Sequence, residues 1–372
     1  MKICFVASAE STHTVKWIKY FSDKGHDVHL ISNKGLEIKN VTFHELKSIG
    51  KGKIVTERIY LNDILTFIYR AFQTRRFVNK IKPDIIHAHN VVISGFYAYV
   101  SNFKPLIVTA WGADVLIAPK KSIFLKTIAK LVLKKADIIT CDGRNTFDTL
   151  INLAAKPKNI KIIYFGIDTK LNTPQQRDDK LREKLNIHHS PTVISLRSFK
   201  PVYDIEALIK AIPEVLKEIP DAKFILAGSG FQEEYLKNLS NNLGLEKNII
   251  FTGNLTIEEI PKYLASSDLY VSTSLSDSGL AASTGEAMAS GLPVISTDVG
   301  SVRDWINEGK GGFIIPIKDP QILAEKIIYL LKNKELMKCF GETNRKIILD
   351  RQDYYKEMEK MEKICEEIIR NH

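Results

Sequence analysis

Short apolar runs punctuate the chain at regular intervals, each followed by a polar turn and then by residues whose apolar positions recur every three or four places. Residues 2–7 form the first run and a polar turn covers 8–12; Val15, Trp17, Ile18 and Phe21 then mark a helix that stops at Gly25. A second run at 28–31 completes a β-loop-α-β opening, the start of a doubly wound sheet. Runs at 85–88, 106–109, 138–141 and 160–164 continue the rhythm with helical stretches between most of them, so a first domain is expected to close near Asp168.

Residues 169–190 break this pattern. They are polar, carry Pro174 and a Gln-Gln-Arg-Asp-Asp run at 175–179, and read as a linker with one short helix over 179–185. The rhythm then restarts, with strands at 192–196, 223–227, 249–251, 269–272 and 293–296, helices at 204–216, 233–243, 258–265 and 284–290, and a strand-like stretch at 312–315. Helical periodicity follows at 320–332 and 334–348. It ends in a charged helix over 353–369, where Tyr354, Met358, Met361, Cys365 and Ile368 make one apolar stripe. Such a stripe needs a partner, and the first domain is the expected one. The pattern thus predicts an α/β protein with two Rossmann-like doubly wound domains, 1–168 and 191–350, joined by 169–190, with 351–372 returning as a helix to the first.

Composition agrees with this division. A chain of 372 residues, 44% hydrophobic and 26% charged, suits two ordinary globular domains. No apolar run approaches the roughly 18 residues of a membrane span, and the N-terminus turns polar too early for a signal peptide. Cys4, Cys141, Cys339 and Cys365 are scattered, which reads as free thiols in a reducing, cytoplasmic setting. The net charge of +10 favours anionic partners without choosing among them.

Several stretches carry candidate chemistry, each with a bland rival. In 277–295 a glycine loop runs into a short helix and then a buried strand, the setting in which amide N–H groups and a helix dipole meet small anions. Glu286 in that helix either completes a capping box with Ser283 or presents a carboxylate to a diol such as a ribose. Arg197 and Lys200 follow the strand at 192–196, where a guanidinium fork suits a diphosphate and a solvated loop is the rival. Gly228-Ser-Gly230 is a similar turn. In the first half, Thr109-Ala-Trp-Gly-Ala-Asp114 offers Trp111 for stacking on a sugar ring and Asp114 for hydroxyls; a core Trp with a turn Asp is the rival. His13, placed in the loop before the first helix, either touches a phosphate or caps the turn. His87 and His89 lie two apart on one strand face, without the carboxylates that a metal site would add, and no metal is expected. From 116 to 135 six lysines interleave with apolar residues and no acid. That is either a helix packed on the sheet or a basic amphipathic face, Lys120–Lys135, for an anionic membrane at the inner side of the cell envelope.

Together these pieces resemble the retaining glycosyltransferases of family 4, the group 1 enzymes of the GT-B fold. The resemblance rests on the 8–14 loop, Trp111-Gly-Ala-Asp114, Gly166-Ile-Asp168, Ser195-Leu-Arg197, Ala227-Gly-Ser-Gly230, Phe251-Thr-Gly253 and above all 278–294. It implies two Rossmann-like domains facing across a cleft, and a nucleotide-sugar as substrate with no further cofactor. The donor would meet Gly228, Gly253, Leu255, Ser278, Gly279, Leu280, Ala281 and Glu286 in the second domain. Arg197 and Lys200 would neutralise the diphosphate and, with Glu286, form the catalytic set. The acceptor would meet Ser8, Glu10, His13, Trp111 and Asp114. Transfer would keep the anomeric configuration, with the departing phosphate taking the acceptor proton.

This chain departs from the family pattern at three positions. Ser278 stands where an acidic residue is usual eight places before Glu286, with Asp277 one earlier; Val202 replaces the usual phosphate lysine, leaving Lys200; and Trp111 replaces a usual histidine. A nucleotide-sugar epimerase of the same fold is the rival enzyme. A nucleic-acid binder is disfavoured because no zinc-finger or helix-turn-helix spacing occurs, and a nicotinamide oxidoreductase because residues 7–12 lack G-x-G-x-x-G.

Overall fold

A computed structural model describes residues 1–35, 38–49, 61–277 and 279–372. The chain divides into two compact units, Met1–Phe165 with Lys356–His372, and Gly166–Tyr355.

The first unit is a seven-stranded parallel sheet in the order β3-β2-β1-β4-β5-β6-β7. Its strands are β1 (Lys2–Val6), β2 (Asp27–Ser32), β3 (Val41–Glu45), β4 (Ile85–His89), β5 (Leu106–Ala110), β6 (Ile138–Cys141) and β7 (Ile160–Ile162). The crossovers are α1 (Thr12–Asp23), α2 (Leu61–Ile81), α3 (Ile93–Ser101), the short α4 (Ala113–Leu116) and α5 (Ala118–Lys121), then α6 (Ile123–Lys135) and α7 (Arg144–Asn152). Every side chain of β4 and β5 is buried, as expected of strands covered on both faces.

Three details differ from the sequence reading. The pattern gave no sign of β3, an edge strand whose residues are only half-buried or exposed. The basic stretch at 116–135 is not one helix: Ser122 is extended between α5 and α6, and Pro119 sits at the start of α5. Ser11 caps α1 by accepting from the Thr14 N–H, which puts His13 in the first helical turn instead of the preceding loop.

The second unit holds a six-stranded parallel sheet, β10-β9-β8-β11-β12-β13. Its elements run α8 (Asp179–Lys184), β8 (Thr192–Leu196), α9 (Ile205–Glu218), β9 (Lys223–Ala227), α10 (Glu233–Asn242), β10 (Ile249–Gly253) and α11 (Ile260–Ala265). They continue with β11 (Leu269–Ser272), α12 (Ala282–Ala289), β12 (Val294–Thr297), β13 (Gly312–Ile315), α13 (Pro320–Leu331) and α14 (Lys334–Arg351). Residues 169–190 are built into this unit and are no free linker. Buried Arg182 donates to the carbonyls of Ser266 and Ile187, and Asp178 caps α8. A buried guanidinium needs such acceptors, so the polar composition that suggested a linker is an internal network.

The final helix α15 spans Tyr354–Arg370. From Lys356 onward it belongs to the first unit, where Met358, Met361 and Cys365 are fully buried. Tyr20 OH and His26 Nε2 hydrogen-bond Glu362 at 2.9 and 2.7 Å, and the Tyr164 N–H donates to Glu357 at 3.0 Å.

Candidate active site

The second sheet reverses its winding between β8 and β11, which makes their carboxyl ends the topological switch point where such sheets bind ligands. Arg197 leaves β8 there. Its Nε donates to Ser274 Oγ at 3.0 Å, its Nη2 pairs with Asp277 at 2.5 Å, and its guanidinium lies 4.3 Å from the Tyr203 ring centre. Burial works against this charge, but Tyr270 and Asp277 outweigh it and hold the guanidinium pKa above its usual value. The result is a fixed, oriented cation whose main anionic partner sits on a loop.

Glycines let that loop and its neighbours close on Arg197. A Cβ at Gly228 would lie 2.3 Å from the Arg197 carbonyl oxygen, and one at Gly230 would lie 2.3 Å from that of Phe199. The Gly228 N–H in turn donates to the Gly253 carbonyl at 2.8 Å. Gly300, at φ +62°, faces the Gly279 carbonyl oxygen 2.6 Å from where its Cβ would stand. Gly253, Gly228, Arg197, Asp277 and Gly279 are thereby linked in one rim. The sequence missed Tyr203 and Gly300, since nothing in their local spacing connects residues up to 103 positions apart.

Helix α12 begins at Ala282, directly after Ala281, with no side-chain cap. The capping-box reading of Ser283 and Glu286 therefore fails. Ser283 accepts instead from Tyr270 OH at 2.8 Å, and half-buried Glu286 lies in the second turn. A reciprocal cap forms elsewhere, where the Thr256 N–H donates to Glu259 at 2.8 Å and the Glu259 N–H to Thr256 at 3.3 Å. Leu280 is buried, Ala281 and Leu255 are half-buried, and Lys200 is exposed. Ser278 lies outside the described residues. Val202 meets the loop through its backbone, its carbonyl accepting from the Leu275 N–H at 2.8 Å.

In the first unit the switch point falls between β1 and β4. Here the chain gathers rings: His87 and His89 are 4.6 Å apart, Trp17 stands edge-on to His89 at 5.3 Å, and Trp111 lies 5.5 Å from both Trp17 and His89. His13 stacks on Trp111 at 5.4 Å and lies 4.9 Å from Phe165. His89 Nδ1 is hydrogen-bonded to Thr14 Oγ1 at 3.0 Å, and His87 Nε2 to Thr109 Oγ1 at 2.6 Å. Burial depresses these imidazoles, His13 to about 4 and His87 to about 3, with His89 also well below its usual value; Lys16 adds to the effect at His13. No metal-ligand group of three or more His, Cys, Asp or Glu occurs among the described residues.

Asp114 is not a hydroxyl-binding group on this surface. It is buried, and its two oxygens accept from the Val91 N–H at 2.7 Å and the Trp111 N–H at 3.1 Å, so it ties the loops after β4 and β5 together. Burial nevertheless pushes its pKa up to about 6, the backbone hydrogen bonds opposing the shift. Ser8 and Glu10 are exposed; Ser8 Oγ accepts from the Glu10 N–H at 3.3 Å, and the Glu10 carboxylate pairs with Lys34 at 2.5 Å. His13 and Trp111 thus remain as the stacked ring pair at this strand end.

Comparison with known proteins accounts for both sheets. The family model described as glycosyl transferases group 1 matches residues 177–347, and the model described as glycosyl transferase 4-like matches residues 2–143. N-acetyl-alpha-D-glucosaminyl L-malate synthase of Bacillus anthracis is 24% identical over 95% of this chain and 92% of its own. An uncharacterized glycosyltransferase of Methanocaldococcus jannaschii is 27% identical over 88% of this chain and 78% of its own. Among solved structures, a glycosyltransferase from Rickettsia africae superposes with a TM-score of 0.83 at 19% identity, covering 100% of this chain and 99% of that one. Anabaena HepE in complex with UDP gives 0.81 at 19% identity over 99% and 100%. With two parallel-sheet units and these matches along most of its length, the chain belongs to the group 1, family 4 type glycosyltransferases of the GT-B fold, which are nucleotide-sugar-dependent enzymes.

Proposed function

We propose that this enzyme moves a hexosyl group from a nucleoside-diphosphate sugar to a hydroxyl of a lipid-linked, saccharide or small-molecule acceptor, with retention of anomeric configuration. The observation that carries the reading is Arg197, a charged fork held at the β8/β11 switch point by Ser274 and Asp277. A diphosphate is the ligand chemistry that such a fork and the adjoining amides suit. That HepE was solved with UDP supports the choice.

In this reading the diphosphate takes over Arg197 from Asp277, and Lys200 adds a second cation. The Gly279–Ala281 backbone meets phosphate and sugar oxygens, Glu286 accepts from the ribose hydroxyls, and Gly253 and Leu255 border the base. As the bond from the anomeric carbon to phosphate oxygen breaks, negative charge grows on the leaving diphosphate, where Arg197 lowers the barrier. The acceptor oxygen bonds to the anomeric carbon on the same face, and its proton passes to the departing phosphate. Neutral His13 and the Trp111 ring suit an uncharged hydroxyl acceptor in the first unit.

Thermal-shift screening against a panel of nucleotide-sugars identifies the donor, and product analysis then tests the reaction. The expected result is a glycosylated acceptor of unchanged anomeric configuration plus free nucleoside diphosphate, with turnover unaffected by a chelator. Inverted product would overturn retention. A new sugar isomer from donor alone would instead indicate an epimerase.

A further inference from the structure

In the first unit, α2, α3 and α6 all belong to crossovers that advance in the same direction along the sheet, so they cover the same face. They are packed side by side: Phe67 on α2 stacks on Phe96 of α3 at 4.9 Å, and Lys135 of α6 donates to the Tyr99 carbonyl of α3 at 3.1 Å. Their inner sides fill the core, with Val78, Ala98, Ile128, Ala129 and Val132 buried. The outer side is unusual.

Ile123 is 85% exposed and Phe124 61%, with Ile117 before them and Leu131 two turns on. On α2, Ile64, Ile68 and Phe72 fall at four-residue spacing and are also exposed, Phe72 at 59%. Large apolar side chains are thus left in water on two helices of one layer, one on either side of α3. Around the tip stand Lys120, Lys121 and Lys126, and Lys130 and Lys134 follow along α6 toward its C-terminal end, all exposed. Over residues 61–136 the sequence has twelve Lys or Arg and three Asp or Glu, one of which is the buried Asp114. This segment therefore holds nearly all of the chain's net charge of +10.

We propose that the outer face of α2 and the α5–α6 tip seats the enzyme on an anionic lipid bilayer, with Ile117, Ile123 and Phe124 entering the headgroup region and Lys120, Lys121 and Lys126 meeting lipid phosphates. Charge complementarity selects the bilayer's sign, and the protruding apolar tip selects a bilayer over a polyanion, which offers nothing for Ile123 and Phe124 to enter. No helix among the described residues is long and apolar enough to cross a membrane, so the attachment is peripheral. The inference rests on the transferase reading only in naming why the enzyme would sit there: it deepens that reading to acceptors carried by lipid.

The test is vesicle sedimentation of the full chain without donor or acceptor, comparing phosphatidylcholine alone with phosphatidylcholine containing phosphatidylglycerol. The wild type is expected to partition at least tenfold more onto the anionic vesicles, and raised salt should weaken this. I123E/F124E should lose at least tenfold in binding, and K120E/K121E/K126E should lose the preference for anionic lipid. Both variants should keep the wild-type melting temperature because the altered side chains are exposed. Equal binding to both vesicles would overturn the proposal. So would unaltered binding by I123E/F124E, or tighter binding to a polynucleotide that I123E/F124E leaves intact. Since no sugar transfer is measured, failure here leaves the transferase reading standing, and failure to find a nucleotide-sugar donor would leave vesicle binding standing.

Discussion

The switch point between β8 and β11 and the one between β1 and β4 share a topology, yet the first holds a guanidinium and the second holds imidazoles stripped of charge. Burial acts against the charged form at both. At Arg197 it is outweighed by Asp277 and Tyr270; at His13, His87 and His89 no carboxylate among the described residues offsets it, and each ring is lowered. Which chemistry a strand end performs is thus decided by the partner a loop delivers, while the fold supplies only the location. In the proposed reaction one end takes an anionic diphosphate and the other a neutral hydroxyl.

Removing the cation should break the contrast most severely. Arg197→Ala is expected to lower turnover by about 10²–10³-fold in steady-state kinetics, the range for loss of one fixed transition-state donor, with the native far-UV circular dichroism spectrum retained at the assay temperature. Glu286→Ala should cost at least about tenfold, seen chiefly in kcat/KM, because a ribose contact works as binding. Unchanged kinetics would return Glu286 to a structural role.

The neutral end should show itself through pH. His13 and His87 have folded pKa values near 4 and 3, below the usual 6.5, so they bind fewer protons folded than unfolded. Their stabilising contribution is complete above pH 6.5 and is lost as pH falls through 6.5 toward those values. Asp114 acts oppositely: raised from 3.8 to about 6, it favours the folded state at low pH and gives that up as pH rises between these values. The imidazoles outnumber it. Acidification from pH 7 to 5 should therefore cost the first unit on the order of 2 kcal/mol per buried imidazole. Urea denaturation followed by Trp17 and Trp111 emission in a Trp305→Phe background measures this, and His87→Gln should flatten the slope.

Gly228→Ala should destabilise by roughly 1–3 kcal/mol in urea denaturation and raise the donor KM, since its Cβ would displace the Arg197 backbone. The smallest effect is expected of Glu10→Ala. The Glu10 and Lys34 side chains are 60% and 62% exposed, so the pair should be worth less than about 1 kcal/mol, and kcat/KM should hold. A fall in kcat/KM would restore Glu10 to the acceptor side.

Much of this was legible because both sheets are parallel and buried, so strands such as β5 and β8 read as short, mostly apolar runs with a buried Thr or Ser. The edge strand β3, Val-Thr-Phe-His-Glu, was invisible because one side of it faces water and its pattern mixes polar and apolar residues. The glycine loop and Arg197 were legible as residue types at strand ends. Their coupling was not: Arg197 meets Asp277 across 80 positions, and only the β8-β11 neighbourhood brings them together. Likewise Ser283 satisfied the spacing of a cap, but Tyr270 on the adjacent strand claims its hydroxyl and the helix begins two residues before that cap would start it.

The central claim is that Arg197 grips a diphosphate, and calorimetric titration with UDP, GDP and ADP and with their monophosphates tests it most directly. The account predicts that at least one diphosphate binds the wild type and loses at least tenfold in affinity with Arg197→Ala, while its monophosphate changes little. Equal diphosphate affinity in the two proteins, or no binding of any nucleotide to the wild type, would contradict it.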